Sequence, residues 1–410
     1  MSLGGFRQVK ASKHALRTYH PINEFADKTK PSSSPKSLIK LSIGDPTLDG
    51  NIRAPTVLTE GMVNAVRGGA ENGYTTAVGD DESREVVAQY WQNLLAPERR
   101  ATIEKENVVI CSGGSHGIVL SITALCNEGD NLLIPNPGFP HYKTVCVSYG
   151  VEPRAYRCDP HKNWEVDLLD VRRLVNSKTK GIMLNNPSNP CGSNFSRKHI
   201  EDIVRLCEEL QLPIISDEIY AEVVFTGEVF TSVADIDTCV PRVILGGTAK
   251  KLAVPGWRFG WAILVDRDSV ARSWVDGMDR LTQLHAGVSS VAQKAHANAI
   301  LQVPQSHLDS MIAVLEEGAS AYDSLTEFGF EYIKPRAAMF VMVKINFSQF
   351  KDIKSDVEFF EKLLEEENVQ VLPGGIFGLD GYFRATITRP VGVIREAVDR
   401  IGQFCKRHAN

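Results

Sequence analysis

Residues 181–216 read GIMLNNPSNPCGSNFSRKHIEDIVRLCEELQLPIIS, and this stretch contains the repeat that decides the fold. Two short apolar runs, residues 181–185 and 212–216, flank a segment with helical periodicity at residues 196–210. The runs are continuous instead of alternating, which is typical of strands buried on both faces of a sheet. Apolar side chains recur on one face of the expected helix, and Ser196 stands at its N-cap position. The stretch therefore predicts a strand–helix–strand unit.

The same alternation extends outward in both directions. Further continuous apolar runs occur at residues 108–111, 131–135, 242–246 and 260–265, and further helical spacing occurs at residues 115–127 and 167–175. Repetition of this kind predicts an α/β fold with a large, mostly parallel sheet, because strands joined by helices pair in parallel.

The pattern changes after residue 305. Expected helices at residues 308–328, 356–367 and 391–406 are interspersed with strand candidates at residues 338–345, 369–372 and 383–388, which indicates a smaller α+β unit. We expect an N-terminal arm (1–40) with an extended linker at 28–36, a discontinuous small domain (41–75 and 305–410) and a large domain (76–304). Ligand sites are common between two domains.

Composition excludes several classes of function. The 410 residues carry a net charge of −5, which gives no electrostatic basis for binding nucleic acid. No apolar run approaches the roughly 20 residues of a membrane span. The eight cysteines lack metal-ligand spacing, so we expect no metal site and a reducing, cytoplasmic location. The acid-free first 23 residues, with Arg7, Lys10, Lys13 and Arg17, are either a basic arm or a mitochondrial presequence.

The most informative segment is residues 246–260, GGTAKKLAVPGWRFG. Lys250 lies just past a buried strand, and Arg258 follows eight residues later. An amine in low-dielectric surroundings has a lowered pKa and can act as a nucleophile or form a Schiff base. A guanidinium group offers a planar fork to a phosphate. The alternative is that Lys250 and Lys251 are two solvated loop lysines.

Residues 108–117, VVICSGGSHG, join a predicted strand to a predicted helix. Glycines let the backbone approach a ligand, and the start of a helix presents free N–H groups to an anion. The pattern is neither the Walker motif nor the dinucleotide fingerprint. A tight turn without a ligand is the alternative.

A third group of residues lies at two other strand ends, in NNPSNPCG (185–192) and SDEIY (216–220). Asp217 is followed by Tyr220 at the carboxyl edge of the expected parallel sheet, where such folds bind ligands. Alternatively, Asp217 or Glu218 is the N-cap of a following helix.

Together, a phosphate anchor, a Schiff-base lysine and a carboxylate beside a ring nitrogen are what pyridoxal 5′-phosphate requires. The chain resembles the fold-type I, class I and II aminotransferases, and within them most closely the tyrosine aminotransferase branch. The resemblance rests on ordered motifs along nearly the whole chain: LSIGDPT (41–47), NGY (72–74), PGFPHY (137–142), NPSNPCG (186–192), SDEIY (216–220) and AKKLAVPGWR (249–258).

The resemblance implies a role for each matching residue around the cofactor ring. Lys250 is expected to bind the cofactor covalently and then to move a proton between substrate and cofactor. Asp217 is expected to pair with the pyridine nitrogen, and Tyr220 and Asn189 to hydrogen-bond the ring oxygen. Phe139 is expected to stack on the ring face.

The resemblance also implies how the phosphate is held. Gly114, Ser115 and Arg258 are expected to bind it from within the same chain. Tyr74 is expected to reach the phosphate of the other subunit's cofactor, which predicts a homodimer.

For the substrate, the resemblance implies that Gly44, Asn189 and Arg384 bind the α-carboxylate. Dicarboxylate-specific relatives carry an arginine where this chain has Gly287, so a distal carboxylate needs another partner. Arg389 is the candidate, and a solvated arginine at a strand end is the alternative reading of that residue.

We therefore expect an aminotransferase whose partners are small molecules. It would move the amino group of an L-amino acid (tyrosine, another aromatic or alanine) to pyruvate or 2-oxoglutarate by ping-pong chemistry. The alternatives are a pyridoxal-phosphate-dependent carbon–sulfur lyase of the same fold and a catalytically silent relative.

Overall fold

The structure is a computed structural model that describes residues 9–29, 32–96 and 103–410. Arg7 of the predicted basic arm and residues 30–31 of the predicted linker lie outside the described residues. Among the described helices, none is long and apolar enough to cross a membrane.

An eight-stranded sheet forms the centre of the larger unit. In spatial order its strands are β2 (Val108–Cys111), β9 (Gly260–Val265), β8 (Arg242–Gly247), β7 (Ile214–Asp217), β6 (Thr179–Asn185), β3 (Asn131–Asn136), β4 (Glu152–Asp159) and β5 (Glu165–Val166). The five strands from β8 to β4 run parallel, whereas β9 is antiparallel to both of its neighbours and β5 is antiparallel to β4. The predicted α/β fold with a mostly parallel sheet is thus confirmed.

Two cores on opposite faces of this sheet explain why its strands are continuously apolar. Successive residues point to opposite faces of a strand. In β7, Ile214 belongs to one core cluster and Ile215 to the other, and both are fully buried. The unpredicted strand β4 lies near the sheet edge and has a mixed pattern of exposed and buried residues, so it lacks the continuous signal.

Helices cover both faces of the sheet and form the layers around the second unit. In chain order they are α1 (Lys13–Arg17), α2 (Pro21–Lys28), α3 (Thr56–Gly68), α4 (Asp81–Leu94), α5 (Gly114–Leu125), α6 (Pro140–Ser148), α7 (Leu168–Leu174), α8 (Arg197–Leu210), α9 (Arg272–Thr282), α10 (Ser290–Ala299), α11 (Gln305–Ser320), α12 (Asp356–Glu367) and α13 (Val391–His408). Helix α8 begins as predicted, because the Ser196 side chain accepts a hydrogen bond from the His199 amide.

The C-terminal unit contains a four-stranded antiparallel sheet, in the order β10 (Glu331–Tyr332), β11 (Phe340–Lys344), β14 (Tyr382–Thr386) and β13 (Leu372–Pro373). A short parallel pair joins β1 (Ile39–Lys40) to β12 (Val369–Gln370). Residues Leu41 and Ile52 share a core cluster with this unit, whereas Leu58 of α3 packs with Ala299 of α10. The division of the chain at residues 75 and 305 stays a prediction.

The first helix of the N-terminal arm, α1, is docked on the larger unit. The His14 ring nitrogen and the Arg17 Nε both contact the Ser148 carbonyl, at 2.9 and 2.6 Å. That carbonyl is at the end of α6, where cationic side chains interact favourably with the helix dipole. The arm continues into α2, which reaches the cavity described next.

Candidate active site

A cavity of about 820 Å³ opens at the carboxyl edge of the parallel strands. Its walls come from the large sheet, from the C-terminal sheet and from the N-terminal arm. Ten of the residues predicted from the sequence line it: Gly44, Gly114, Ser115, Phe139, Asn189, Asp217, Tyr220, Lys250, Arg258 and Arg384.

Lys250 lies in the turn that follows β8 and faces this cavity. Its Nζ donates a hydrogen bond to the Gly44 carbonyl at 2.8 Å. Burial lowers the pKa of Lys250 to about 8, and the nearby cations Arg384 and Arg258 add to this effect. A substantial fraction of the amine is therefore neutral near pH 8 and able to act as a nucleophile. The alternative of two solvated loop lysines is wrong, because Lys251 is 5% exposed.

Asp217 ends β7 and presents a buried carboxylate to the same cavity. Its oxygens accept hydrogen bonds from the Tyr142 hydroxyl at 2.7 Å and the Ile219 amide at 3.2 Å. Burial raises the pKa of Asp217 to about 6, and these two hydrogen bonds oppose the rise. The carboxylate is ionised at neutral pH and can pair with a ring cation. Residues 219–222 form turns and start no helix, so the N-cap alternative is wrong.

The start of α5 forms an anion-binding end of the cavity. Gly113 precedes the helix with a φ of 73°, and a Cβ there would lie 2.5 Å from an Arg258 nitrogen, so glycine is required. The Arg258 guanidinium donates to the Ser115 hydroxyl at 3.1 Å and to the Ser112 carbonyl at 3.0 Å. Free N–H groups of the first helical turn and a guanidinium group together suit a phosphate.

Asn189 and Tyr220 line the same cavity as Asp217 and Arg384. The backbone N–H of Asn189 donates to the Asn185 side-chain oxygen at 2.8 Å. The Asn185 side-chain nitrogen in turn donates to the Asp217 backbone carbonyl at 3.1 Å. This chain of hydrogen bonds ties the ends of β6 and β7 together. The Tyr220 hydroxyl is buried, and desolvation raises its pKa.

Arg384 brings a buried guanidinium from β14 of the C-terminal sheet. Its terminal nitrogens donate to the Asn189 side-chain oxygen at 3.0 Å and to the Ser42 carbonyl at 2.6 Å. Its Nε is buried without a hydrogen-bond partner, and burial lowers the pKa of Arg384 to about 9. An unpaired buried donor on a cation is costly, so the group is suited to an incoming carboxylate.

Gly44 and Phe139 complete the predicted walls. A Cβ on Gly44 would lie 2.3 Å from the Phe340 ring, which itself stacks 4.1 Å from the Arg384 guanidinium, so no larger residue fits at position 44. Phe139 is half-buried immediately before α6, and its ring meets the Tyr142 ring edge-on.

Two predicted residues lie outside the cavity lining. Tyr74 is 96% exposed on the single chain. Arg389 is held by a bidentate ion pair with Asp49, in which one contact is 2.8 Å, and it also donates to the Lys40 carbonyl at 2.7 Å. In this structure Arg389 therefore lies outside the cavity lining, paired with Asp49, and it is not a solvated surface arginine.

Sequence reasoning missed several residues that line the cavity. Tyr142 and Asn185 are part of the quoted motifs, but no role was predicted for them. Tyr142 follows the predicted strand at residues 131–135, and Asn185 ends the one at residues 181–185. Ile22, Asn23 and Phe25 of the arm also line the cavity. No local pattern indicates this, because the arm reaches the site only through tertiary packing.

Comparison with known proteins agrees with this geometry. Residues 36–401 match the family described as aminotransferase class I and II. The chain is 37% identical to the tyrosine aminotransferase of Mus musculus over 98% of this chain and 88% of that one. It is 54% identical to the crystal structure of tyrosine aminotransferase from Leishmania infantum, with a TM-score of 0.97 and coverage of 99% and 100%. It is also 31% identical to a cystine lyase of Arabidopsis thaliana, over 85% and 83% of the two chains.

We expect Asp217→Asn to lower turnover at least about 100-fold, or roughly 2.7 kcal/mol of barrier, while the protein keeps its cofactor. An amide cannot hold the pyridine nitrogen of the expected cofactor in its protonated form, whereas the phosphate contacts are unaffected. Turnover and bound cofactor are measured on the same preparation.

The matched control is Glu218→Gln. Glu218 is the neighbouring buried carboxylate, but its Oε1 accepts hydrogen bonds from Ser216 and Val233 outside the cavity. This variant should keep turnover within about fivefold of the wild type, about 1 kcal/mol. An Asp217→Asn enzyme with more than a tenth of wild-type turnover would show that the ring-nitrogen role is wrong.

Proposed function

The chain belongs to the class I and II aminotransferase family, and we propose that its amino donor is L-tyrosine or another aromatic amino acid. Transfer of an amino group to a 2-oxo acid is the activity of this enzyme. The names of the mouse and Leishmania infantum relatives support tyrosine as donor, and pyruvate or 2-oxoglutarate is the proposed acceptor.

The observation that carries the proposal is that a half-buried lysine and a buried arginine line the same cavity. Lys250 and Arg384 line one cavity, and the Nε of Arg384 lacks a partner. An amino acid carries both groups that suit such a cavity. Its carboxylate can pair with the arginine, and its amine can take the place of the lysine amine on the cofactor. Apolar residues around them, including Ile22, Leu38 and Ile43, offer an environment for an aromatic side chain.

We propose pyridoxal 5′-phosphate as the cofactor, since the residues present fit it. Arg258, Ser115 and the start of α5 would hold the phosphate, and Asp217 would hold the ring nitrogen. When bound, this cofactor supplies an electron sink for the carbanion that forms at the substrate Cα.

The chain's own residues then supply binding and proton transfer. Arg384 binds the α-carboxylate, beside the backbone at Gly44, and thereby orients the Cα–H bond. Lys250 takes the Cα proton as a neutral amine, which its lowered pKa permits near neutral pH. Tyr142 keeps the Asp217 carboxylate in place through its hydrogen bond.

A homodimer is part of the proposal. Tyr74 is proposed to contact the cofactor phosphate in the partner subunit's site. Its almost complete exposure on the single chain is compatible with a contact to a second subunit. A cytoplasmic location is proposed as well.

The test is a direct assay of the purified holoenzyme with L-tyrosine and pyruvate or 2-oxoglutarate. We expect one 4-hydroxyphenylpyruvate per alanine or glutamate formed and no free ammonia. A lyase, which the cystine lyase relative favours as second candidate, would instead release ammonia and pyruvate from cystine. Transfer from alanine without transfer from tyrosine would overturn the choice of donor.

We further propose that Arg389 binds the distal carboxylate of 2-oxoglutarate in exchange for Asp49. Arg389→Ala should then lower kcat/KM for 2-oxoglutarate about 10- to 200-fold, since a charge-assisted pair is worth about 1.5–3 kcal/mol. The tyrosine–pyruvate reaction should change little. Steady-state kinetics with both acceptors measures the difference.

Asp49→Asn serves as the control, because it removes the carboxylate that competes for Arg389. We expect this variant to keep or raise kcat/KM for 2-oxoglutarate. An equal loss with both acceptors in Arg389→Ala would assign Arg389 to the support of the loop between residues 40 and 49. No loss with either would remove it from the reaction.

A further inference from the structure

An ion pair between a buried lysine and a largely buried glutamate lies directly behind the reactive lysine. Lys251 follows Lys250 in the chain, but its side chain does not line the cavity. Its Nζ is 2.7 Å from a carboxylate oxygen of Glu222 and 3.5 Å from the centre of the Tyr90 ring. The Tyr90 hydroxyl also hydrogen-bonds both charged groups. Lys251, Glu222 and Tyr90, here called the rear cluster, take no part in the chemistry described above.

The rear cluster connects the two turns that carry the reacting groups. Glu222 stands two residues after Tyr220 in the turn that follows β7, and Lys251 stands in the turn that follows β8. The first turn is tight, since the Val223 amide donates to the Tyr220 carbonyl at 2.8 Å. In the second, the Ala253 amide donates to the Lys250 carbonyl at 3.1 Å. A shift of either charged residue therefore moves its cavity-facing neighbour.

We propose that Lys251 and Glu222 are positioning residues, whose ion pair sets the distance between the turn bearing Lys250 and the turn bearing Tyr220, which follows Asp217 at the end of β7. Tyr90, on α4, anchors the pair to a third element. This inference rests on the proposed function, because it concerns where Lys250 stands relative to the cofactor ring.

Stability alone does not explain the rear cluster. Burial favours the uncharged form of each group: it raises the pKa of Glu222 to about 7 and lowers the pKa of Lys251 well below its usual range. The short contact between the two groups offsets this cost. Replacing a buried ion pair by apolar residues of similar volume is often neutral or stabilising. Stability is therefore a weak reason for this pair, and its place between two reactive turns points to a positioning role.

Removing either partner should slow chemistry more than it weakens substrate binding. Misplacing a reacting group by about 1 Å can cost 100-fold in rate. We expect Lys251→Met and Glu222→Gln each to lower kcat about tenfold or more. KM for the amino acid should stay within about threefold, because Arg384 belongs to another sheet and keeps its contacts. Lys251→Arg keeps the cation and should retain at least about a third of wild-type kcat.

A readout without substrate separates this inference from the choice of tyrosine as donor. The visible absorbance of the lysine-bound cofactor is titrated against pH in each holoenzyme. Lys251→Met and Glu222→Gln should move the midpoint by more than about 0.3 pH units, since the midpoint reports the surroundings of Lys250. The control is Lys198→Met, which removes an exposed ion pair with Asp202 on α8 and should change neither midpoint nor kcat.

The double variant Lys251→Met/Glu222→Met keeps the test decisive if a single variant fails to fold. It leaves no unpaired buried charge and should be folded. We expect it to retain the kcat defect and the shifted midpoint, because the apolar pair no longer fixes the distance. Wild-type kcat and midpoint in the folded double variant would overturn the inference. The inference would also be overturned if the single variants, assayed well below their unfolding temperatures, had wild-type kcat and a wild-type midpoint.

Discussion

Burial of ionisable groups at the carboxyl edge of the parallel sheet is the constraint on which this site depends. Asn185 and Asp217 are paired in register at the ends of β6 and β7, and β8 ends beside them. Polar side chains at these ends lie in a cavity whose other walls come from the second sheet and the arm. The same burial lowers the pKa of Lys250 to about 8 and raises that of Asp217 to about 6. Burial at this edge of the sheet therefore favours both the neutral, nucleophilic amine of Lys250 and a carboxylate at Asp217 that can pair with a cation.

A second consequence of this arrangement is that the site is assembled from distant parts of the chain. Arg384 arrives from the C-terminal sheet and is held by the Ser42 carbonyl and the Asn189 side chain. The arm contributes Ile22 and Asn23 from its own helix. Since the carboxylate-binding cation and the lysine belong to different sheets, the relative position of the two sheets sets the distance over which a substrate is held. The packing of Phe340 against both Gly44 and Arg384 fixes part of that distance.

The fold was largely predictable from the sequence because its strongest signals are local. Strands buried on both faces are continuously apolar, and Ser196 marks the start of α8. Ten of the predicted site residues line the cavity. Local signals at strand ends and in a glycine turn indicated Lys250, Asp217 and Arg258, whereas Gly44, Phe139 and Arg384 followed only from the family resemblance. The features that the sequence did not indicate are nonlocal. Nothing near Arg389 in sequence indicates its ion pair with Asp49, and nothing near Lys251 indicates its burial against Glu222. The contribution of the arm to the cavity was not predicted for the same reason, because it arises from contacts between residues that are distant in sequence.

The central claim is that Lys250 is the residue that carries the cofactor. Borohydride reduction of the holoenzyme followed by peptide mapping tests it most directly, because reduction makes the lysine–cofactor bond permanent. We expect the label on Lys250, whose amine faces the cavity and is 2.8 Å from the Gly44 carbonyl. A label on Lys251, whose amine is engaged with Glu222 on the far side of the turn, would contradict it.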